Sequence, residues 1–150
     1  MWKDHPARKE LLALYREVDA LYAPVTCPAS AECCHFSQTG REPYPHAVEM
    51  AEVDHALRAQ GNPKRSLVVG VCPLLGPGGR CRIYASRPLG CRTFFCERAT
   101  GMDAVPRDLR DKTLEIGRRI ADLSARTFPR DPGPRPFTNA LRRPSAGLER

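Results

Sequence analysis

The sequence predicts an α+β fold, mainly helical, in which three helices and a short β-hairpin carry cysteine-rich loops. Three observations lead there. Three segments repeat apolar residues at three- and four-residue steps, two short β-branched runs flank Gly76-Pro77-Gly78-Gly79, and all seven cysteines fall between positions 27 and 96.

The first helix is expected from Asp4 to Tyr22, where Leu11, Leu14, Tyr15, Val18, Leu21 and Tyr22 form one face and Pro6 sits early, where proline is tolerated. Pro24 ends it. Cys27 to Gly40 is polar and reads as a loop. Pro45 prepares a second helix over His46 to Ala59, with Gly61 placed to accept the positive φ that closes it. Ser66 to Val71 and Arg82-Ile83-Tyr84 are the two strands of the predicted hairpin, which brings Cys72 near Cys81. Pro106 opens the third helix, running to about Ala125 with Leu109, Thr113, Ile116, Ile120 and Leu123 on one face. Asp108 and Asp111 near its start and Arg118, Arg119 and Arg126 toward its end match the helix dipole. Five prolines after Phe128 predict an extended Pro/Arg-rich tail over 129–150, leaving 1–128 as a single domain.

A chain of 150 residues buries roughly 70% of its extended surface and supports one core without covalent staples. It has no run of the roughly 20 apolar residues that cross a bilayer and no signal-peptide pattern at Met1-Trp2-Lys3-Asp4-His5-Pro6, so a cytoplasmic location is expected. In that reducing setting an odd number of cysteines argues against a disulfide framework. The net charge of +7 invites a nucleic-acid partner, yet seven thiolates around two divalent ions would lower it to about +4. The basic excess is then in part charge balance, and nucleic acid is the less favoured partner.

Cys27, Cys33, Cys34, Cys72, Cys81, Cys91 and Cys96 are the candidate metal ligands. Thiols bind metals as thiolates, and Arg80, Arg82, Arg87, Arg92 and Arg98, with Glu97 the one acid among them, supply the positive surroundings that favour deprotonation. Arg87 and Arg92 have a second reading, as caps on backbone carbonyls around the Pro88 turn. The spacing C-x5-C-C, then C-P-x7-C-x9-C-x4-C, lacks the short paired cysteines of a zinc finger. Side chains of adjacent residues in an extended segment leave on opposite faces, so Cys33 and Cys34 either serve two sites or divide into a ligand and a packing residue. His35 is the one histidine considered as a ligand; His5, His46 and His55 are expected to face solvent.

Three elements, Cys27 to Cys34, Cys72-Pro73-Leu74-Leu75, and Cys81-Arg82-Ile83-Tyr84-Ala85-Ser86-Arg87-Pro88-Leu89-Gly90-Cys91-Arg92 with Cys96 beyond it, resemble the YkgJ-type, or CxxCxxCC, cysteine-cluster family. The resemblance covers roughly half the chain. In the family pattern Ser30 stands where a further cysteine falls, so eight thiols become seven; Ser30, His35, a carboxylate or water would have to complete a second all-thiolate site. The resemblance implies zinc or an iron–sulfur cluster, each of which accepts four thiolates. The expected function is therefore metal binding at one or two centres. An iron–sulfur redox or group-transfer enzyme, or an accessory subunit of one, is the first alternative, and a basic nucleic-acid adaptor the second. Metal ions are the expected partners, with a protein partner possible; the sequence assigns no catalytic residue.

Overall fold

The structure, a computed structural model, describes residues 1–24, 31–66, 68–93 and 107–142. Cys27, Ser30, Cys96, Pro106 and the last eight residues of the predicted tail lie outside the described residues. Helix α1 (Pro6–Leu21) begins as its sequence dictates, with Pro6 in the first turn and the His5 Nδ1 accepting the Ala7 N–H at 3.1 Å. Its buried stripe is Ala7, Leu11, Leu14, Tyr15 and Val18. A four-residue helix, α2 (Phe36–Thr39), closes on Gly40, whose φ of 67° suits glycine.

Helix α3 (Ala47–Ala59) confirms the second predicted helix, with Glu49 accepting the His46 N–H at 2.9 Å. A four-residue α4 (Leu89–Arg92) holds Cys91, and α5 (Arg107–Thr127) buries Ile116, Ile120, Leu123 and Ser124. Helices α1, α3 and α5 pack on one another around a core made chiefly of Trp2, Leu11, Leu14, Val18, Val48, Ile116, Ile120 and Leu123. A second core joins Cys34 and Cys72 to Val53, Leu57, Leu74, Ile83, Phe137 and Leu141. Helix α3 is the shared wall: Val48 faces the first core, while Val53 and Leu57 face the second.

The predicted hairpin, and with it the α+β class, is overturned. Among the described residues there is no strand, only an isolated antiparallel bridge between Leu75 and Cys81. The reason is where the donors go. The Cys72 N–H bonds the Cys34 carbonyl at 2.6 Å, the Gly70 carbonyl accepts from Ser37 at 2.9 Å, and Pro73 has no N–H to give. The first run thus spends its polar groups on the 31–40 segment, leaving Val68 and Val69 exposed. The second run curls into a 3-10 turn at Tyr84–Ser86. What survives is the turn at Pro77–Gly79, with Gly78 at φ 76° and Gly76 N–H bonding the Arg80 carbonyl at 2.7 Å.

Residues 131–142 also depart from the expected extended tail. A short α6 (Phe137–Ala140) lies in the second core, with Phe137, Ala140 and Leu141 buried. The Phe137 N–H bonds the Pro43 carbonyl at 3.0 Å, Glu42 accepts from Thr138, and Arg65 donates to the Leu141 carbonyl. Proline-rich composition suggested a free segment, but Phe137, Ala140 and Leu141 seat it, and full burial of the ring alone stabilises by about 1.5–3 kcal/mol. Phe137→Ala is therefore expected to cost about 3–5 kcal/mol in urea unfolding. A change below about 0.5 kcal/mol, as on a surface, would mean that the segment does not belong to the core.

Candidate metal centre

The thiols reach one another through three different local structures. Cys33 and Cys34 lie in a 3-10 turn (Glu32–Cys34) that follows Ala31 at φ 58°. Cys72 is held by its main-chain bond to Cys34, and Cys81 by the bridge to Leu75 and the Arg82 N–H to Leu74 carbonyl bond at 3.0 Å. Cys91 sits in α4, its N–H on the Pro88 carbonyl at 3.0 Å. These five cysteines, all free, line a cavity of about 450 Å³. Leu74, Ile83 and Phe137 give it apolar walls, and Arg80 and Arg87 supply cations. The predicted approach of Cys72 to Cys81 is thus realised without the strands that were to produce it.

Cys34 is the middle of the group. The neighbouring Cys33, Cys72 and Cys81 thiols, together with burial, push its own proton affinity up. The same contact, from the other side, lowers Cys33 to about 6 and Cys81 to about 7, with Arg87 adding its charge to both; Cys72 is also lowered, first by Cys34. Burial, followed by the nearby sulfurs, drives Cys91 well above the usual thiol range. Among the described residues no group of three or more His, Cys, Asp or Glu is arranged to hold an ion. Loading requires Cys34 to give up its proton.

The donor chemistry fits a soft ion or cluster. Five thiols converge, the walls are apolar and, among the described residues, no carboxylate lines the cavity. His35 starts α2 and lines neither this cavity nor the cleft beside it, so it is not brought to the thiols. The histidines expected in solvent, His5, His46 and His55, are all partly buried, and His5 is stacked on Trp2 with ring centroids 5.6 Å apart. Cys27 and Cys96 lie outside the described residues, as does Ser30.

The two roles considered for the arginines divide between them. Arg92 is buried and caps carbonyls, donating to Arg87 at 2.7 Å and Ala85 at 2.5 Å; it also pairs with Asp19 at 2.8 Å and stacks 4.0 Å over the Tyr15 ring. Arg87 does both. It lies 3.8 Å over Tyr84, donates to the Tyr84 carbonyl at 2.9 Å and lines the thiol cavity, where its charge favours thiolates.

Sequence reasoning missed the buried acids that seat this loop. Glu49 accepts the Leu89 N–H at 2.7 Å and the Tyr15 hydroxyl at 3.1 Å. Glu52 accepts Trp2 Nε1 at 2.9 Å, Arg8 Nε at 2.7 Å and the Ser86 hydroxyl at 3.3 Å. Their signal was their register: each stands next to an apolar position of α3, Glu49 beside Val48 and Glu52 beside Val53, on a helix that is buried on two sides.

A family model described as "CxxCxxCC: Putative zinc- or iron-chelating domain" matches residues 26–109, more than half of the chain. Comparison with curated proteins and with solved structures gave no match.

The asymmetry among the thiols is measurable. In metal-free protein at pH 7.5, above the values of Cys33 and Cys81, iodoacetamide is expected to label those two at least tenfold faster than Cys34 and Cys91, by mass spectrometry of quenched time points. Lowering the pH through 7 and then 6 returns their protons and slows their labelling. Uniform labelling at pH 7.5 would contradict the assignment of the proton to Cys34.

Proposed function

The chain belongs to the CxxCxxCC family of zinc- or iron-chelating domains, and from that premise we propose that it is a metal-binding protein whose clustered thiolates hold zinc or an iron–sulfur cluster. The observation that carries the reading is the convergence of Cys33, Cys34, Cys72, Cys81 and Cys91 on one apolar-walled cavity. Cys27 and Cys96, by their place in the motif, are the further ligands of this reading, at the same centre or at a second one. Cys33, Cys34, Cys72, Cys81 and Cys91 would hold such a metal, which would cross-link the segments that carry them. Structural zinc in small modules contributes roughly 10–16 kcal/mol of apparent binding free energy, more than the usual net stability of a domain.

Basic residues support charge balance over nucleic-acid binding. Arg8, Arg92, Arg119, Arg126 and Arg135 each pair with a carboxylate, and Arg80 and Arg87 line the thiol cavity. No helix among the described residues is long and apolar enough to cross a membrane.

Elemental analysis of anaerobically purified protein tests the reading directly. Stoichiometric zinc in a colourless protein supports a zinc centre, and matched iron and sulfide with broad visible absorbance supports a cluster; a protein free of both metals removes the proposal. Cys72→Ser and Cys81→Ser are expected to lower the bound metal at least tenfold, measured by chelator competition. The pH dependence follows from the protons. Cys34 and Cys91 hold theirs at neutral pH and release them on loading, so apparent affinity rises with pH above 7. Below about pH 7 and then 6, Cys81 and Cys33 also become protonated and affinity falls more steeply. A flat affinity between pH 6 and 8.5 would exclude thiolate ligation by these residues.

A further inference from the structure

Two of the five thiols border a second space. Beside the thiol cavity lies a cleft of about 650 Å³, more open to solvent and bounded by α2, the 41–44 segment and α4. Cys33 and Cys91 line both spaces, whereas Cys34, Cys72 and Cys81 line the inner one. A small molecule arriving through the cleft therefore meets these two sulfurs first; both residues are partly exposed, while Cys34 and Cys72 are buried. Consecutive Cα atoms lie about 3.8 Å apart, short of the roughly 4.4–6.8 Å that disulfides span, so Cys34 is a poor disulfide partner for Cys33. Cys91 meets no such bar. It comes from α4, a separate segment, and shares with Cys33 the wall between the two spaces.

We infer that Cys33 and Cys91 form a redox switch closed by hydrogen peroxide, which joins the 3-10 turn at Glu32–Cys34 to α4 through a disulfide. An accessible thiol with a second thiol beside it is the arrangement in which a sulfenic acid resolves to a disulfide. Peroxide is small and neutral, so the mixed charge of the cleft lining, Arg41 with Glu42, neither draws it nor bars it. In the first step the Cys33 sulfur attacks one peroxide oxygen. An S–O bond forms, the O–O bond breaks, and the departing oxygen leaves as water with the thiol proton. In the second step the Cys91 sulfur attacks the Cys33 sulfenic acid; the S–S bond forms, the S–O bond breaks, and a second water leaves with the Cys91 proton. Two thiols are oxidised and one peroxide is reduced to two waters, with no other electron donor or acceptor. The disulfide withdraws two thiolates from the ligand set and so releases metal. That consequence rests on the metal-binding reading above, whereas the disulfide itself does not.

The test adds a small excess of hydrogen peroxide to the full chain as purified, blocks the remaining thiols and maps disulfides by mass spectrometry. Cys33 bonded to Cys91 is the expected product, reversed by dithiothreitol. With dimedone present, Cys91→Ser is expected to accumulate at least about fivefold more sulfenic-acid adduct at Cys33 than the unsubstituted chain, and Cys33→Ser to form no disulfide at Cys91. Should either variant fail to fold, the map of the unsubstituted chain decides alone. A bond from Cys33 to Cys27, Cys72, Cys81 or Cys96, an adduct on another cysteine ahead of Cys33, or no disulfide at all would overturn the switch. Zinc or iron released as the Cys33–Cys91 bond forms supports the effect on the cargo, and release without that bond overturns it. A chain that carries no metal removes the metal-binding reading, while the disulfide map still decides whether the switch exists.

Discussion

Two carboxylates buried on α3 hold this molecule together. Glu49 and Glu52 are each 2% exposed, on the helix that separates the two cores, and between them they accept from six protein donors: Trp2, Arg8, Tyr15, His46, Ser86 and Leu89. A carboxylate moved out of water is costly unless charge-assisted bonds replace its hydration. Here the replacements come from α1 on one side and from the cysteine-bearing 84–92 loop on the other. The helical framework and the thiol centre are thereby fixed to each other through polar contacts, where apolar packing alone would leave their orientation less defined.

The second core shows the opposite problem. Thiols are good small apolar residues when neutral, and Cys34 and Cys72 pack as such against Val53, Leu74 and Phe137. As thiolates in the same place they repel, and Arg87 together with the Cys34 proton is what moderates that repulsion. Arg92, two turns of chain away in the same loop, serves a different end: its planar fork takes two carbonyls and a carboxylate while its face lies on Tyr15. Of these neighbouring arginines of one motif, Arg87 joins a charge for the sulfurs to a carbonyl clasp, while Arg92 clasps the backbone.

The sequence made the helices legible because each signals itself locally: Pro6 and the apolar stripe for α1, Pro45 and Gly61 for α3, the 109–123 face for α5. The thiol group was legible too, since cysteine type and the Ile83-Tyr84 to Cys91-Arg92 string carry it. Pairing was not. The β-branched run at 66–71 has strand propensity, but the bonds between Cys72 and Cys34 and between Ser37 and Gly70 are tertiary and override it. Phe137 was hidden by the prolines around it, and Glu49 and Glu52 by the ordinary expectation that acids on a helix face water. Burial of a polar residue depends on partners far away in the chain, and no local pattern reveals those partners.

Helix α3 contributes Val48 to one core and Val53 and Leu57 to the other, and this sharing has a consequence for how the molecule opens. Two cores with separate walls can breathe independently, each as its own cooperative unit with its own opening free energy. With a common wall, displacing the thiol side removes the support from under Val53 and Leu57 and strains the anchorage of Trp2 and Tyr15 through the two carboxylates. Sub-global opening is then merged into the global one. Displacement of the thiol side is felt at Trp2 and Tyr15 as well, in how often the whole framework exchanges its amide protons with water.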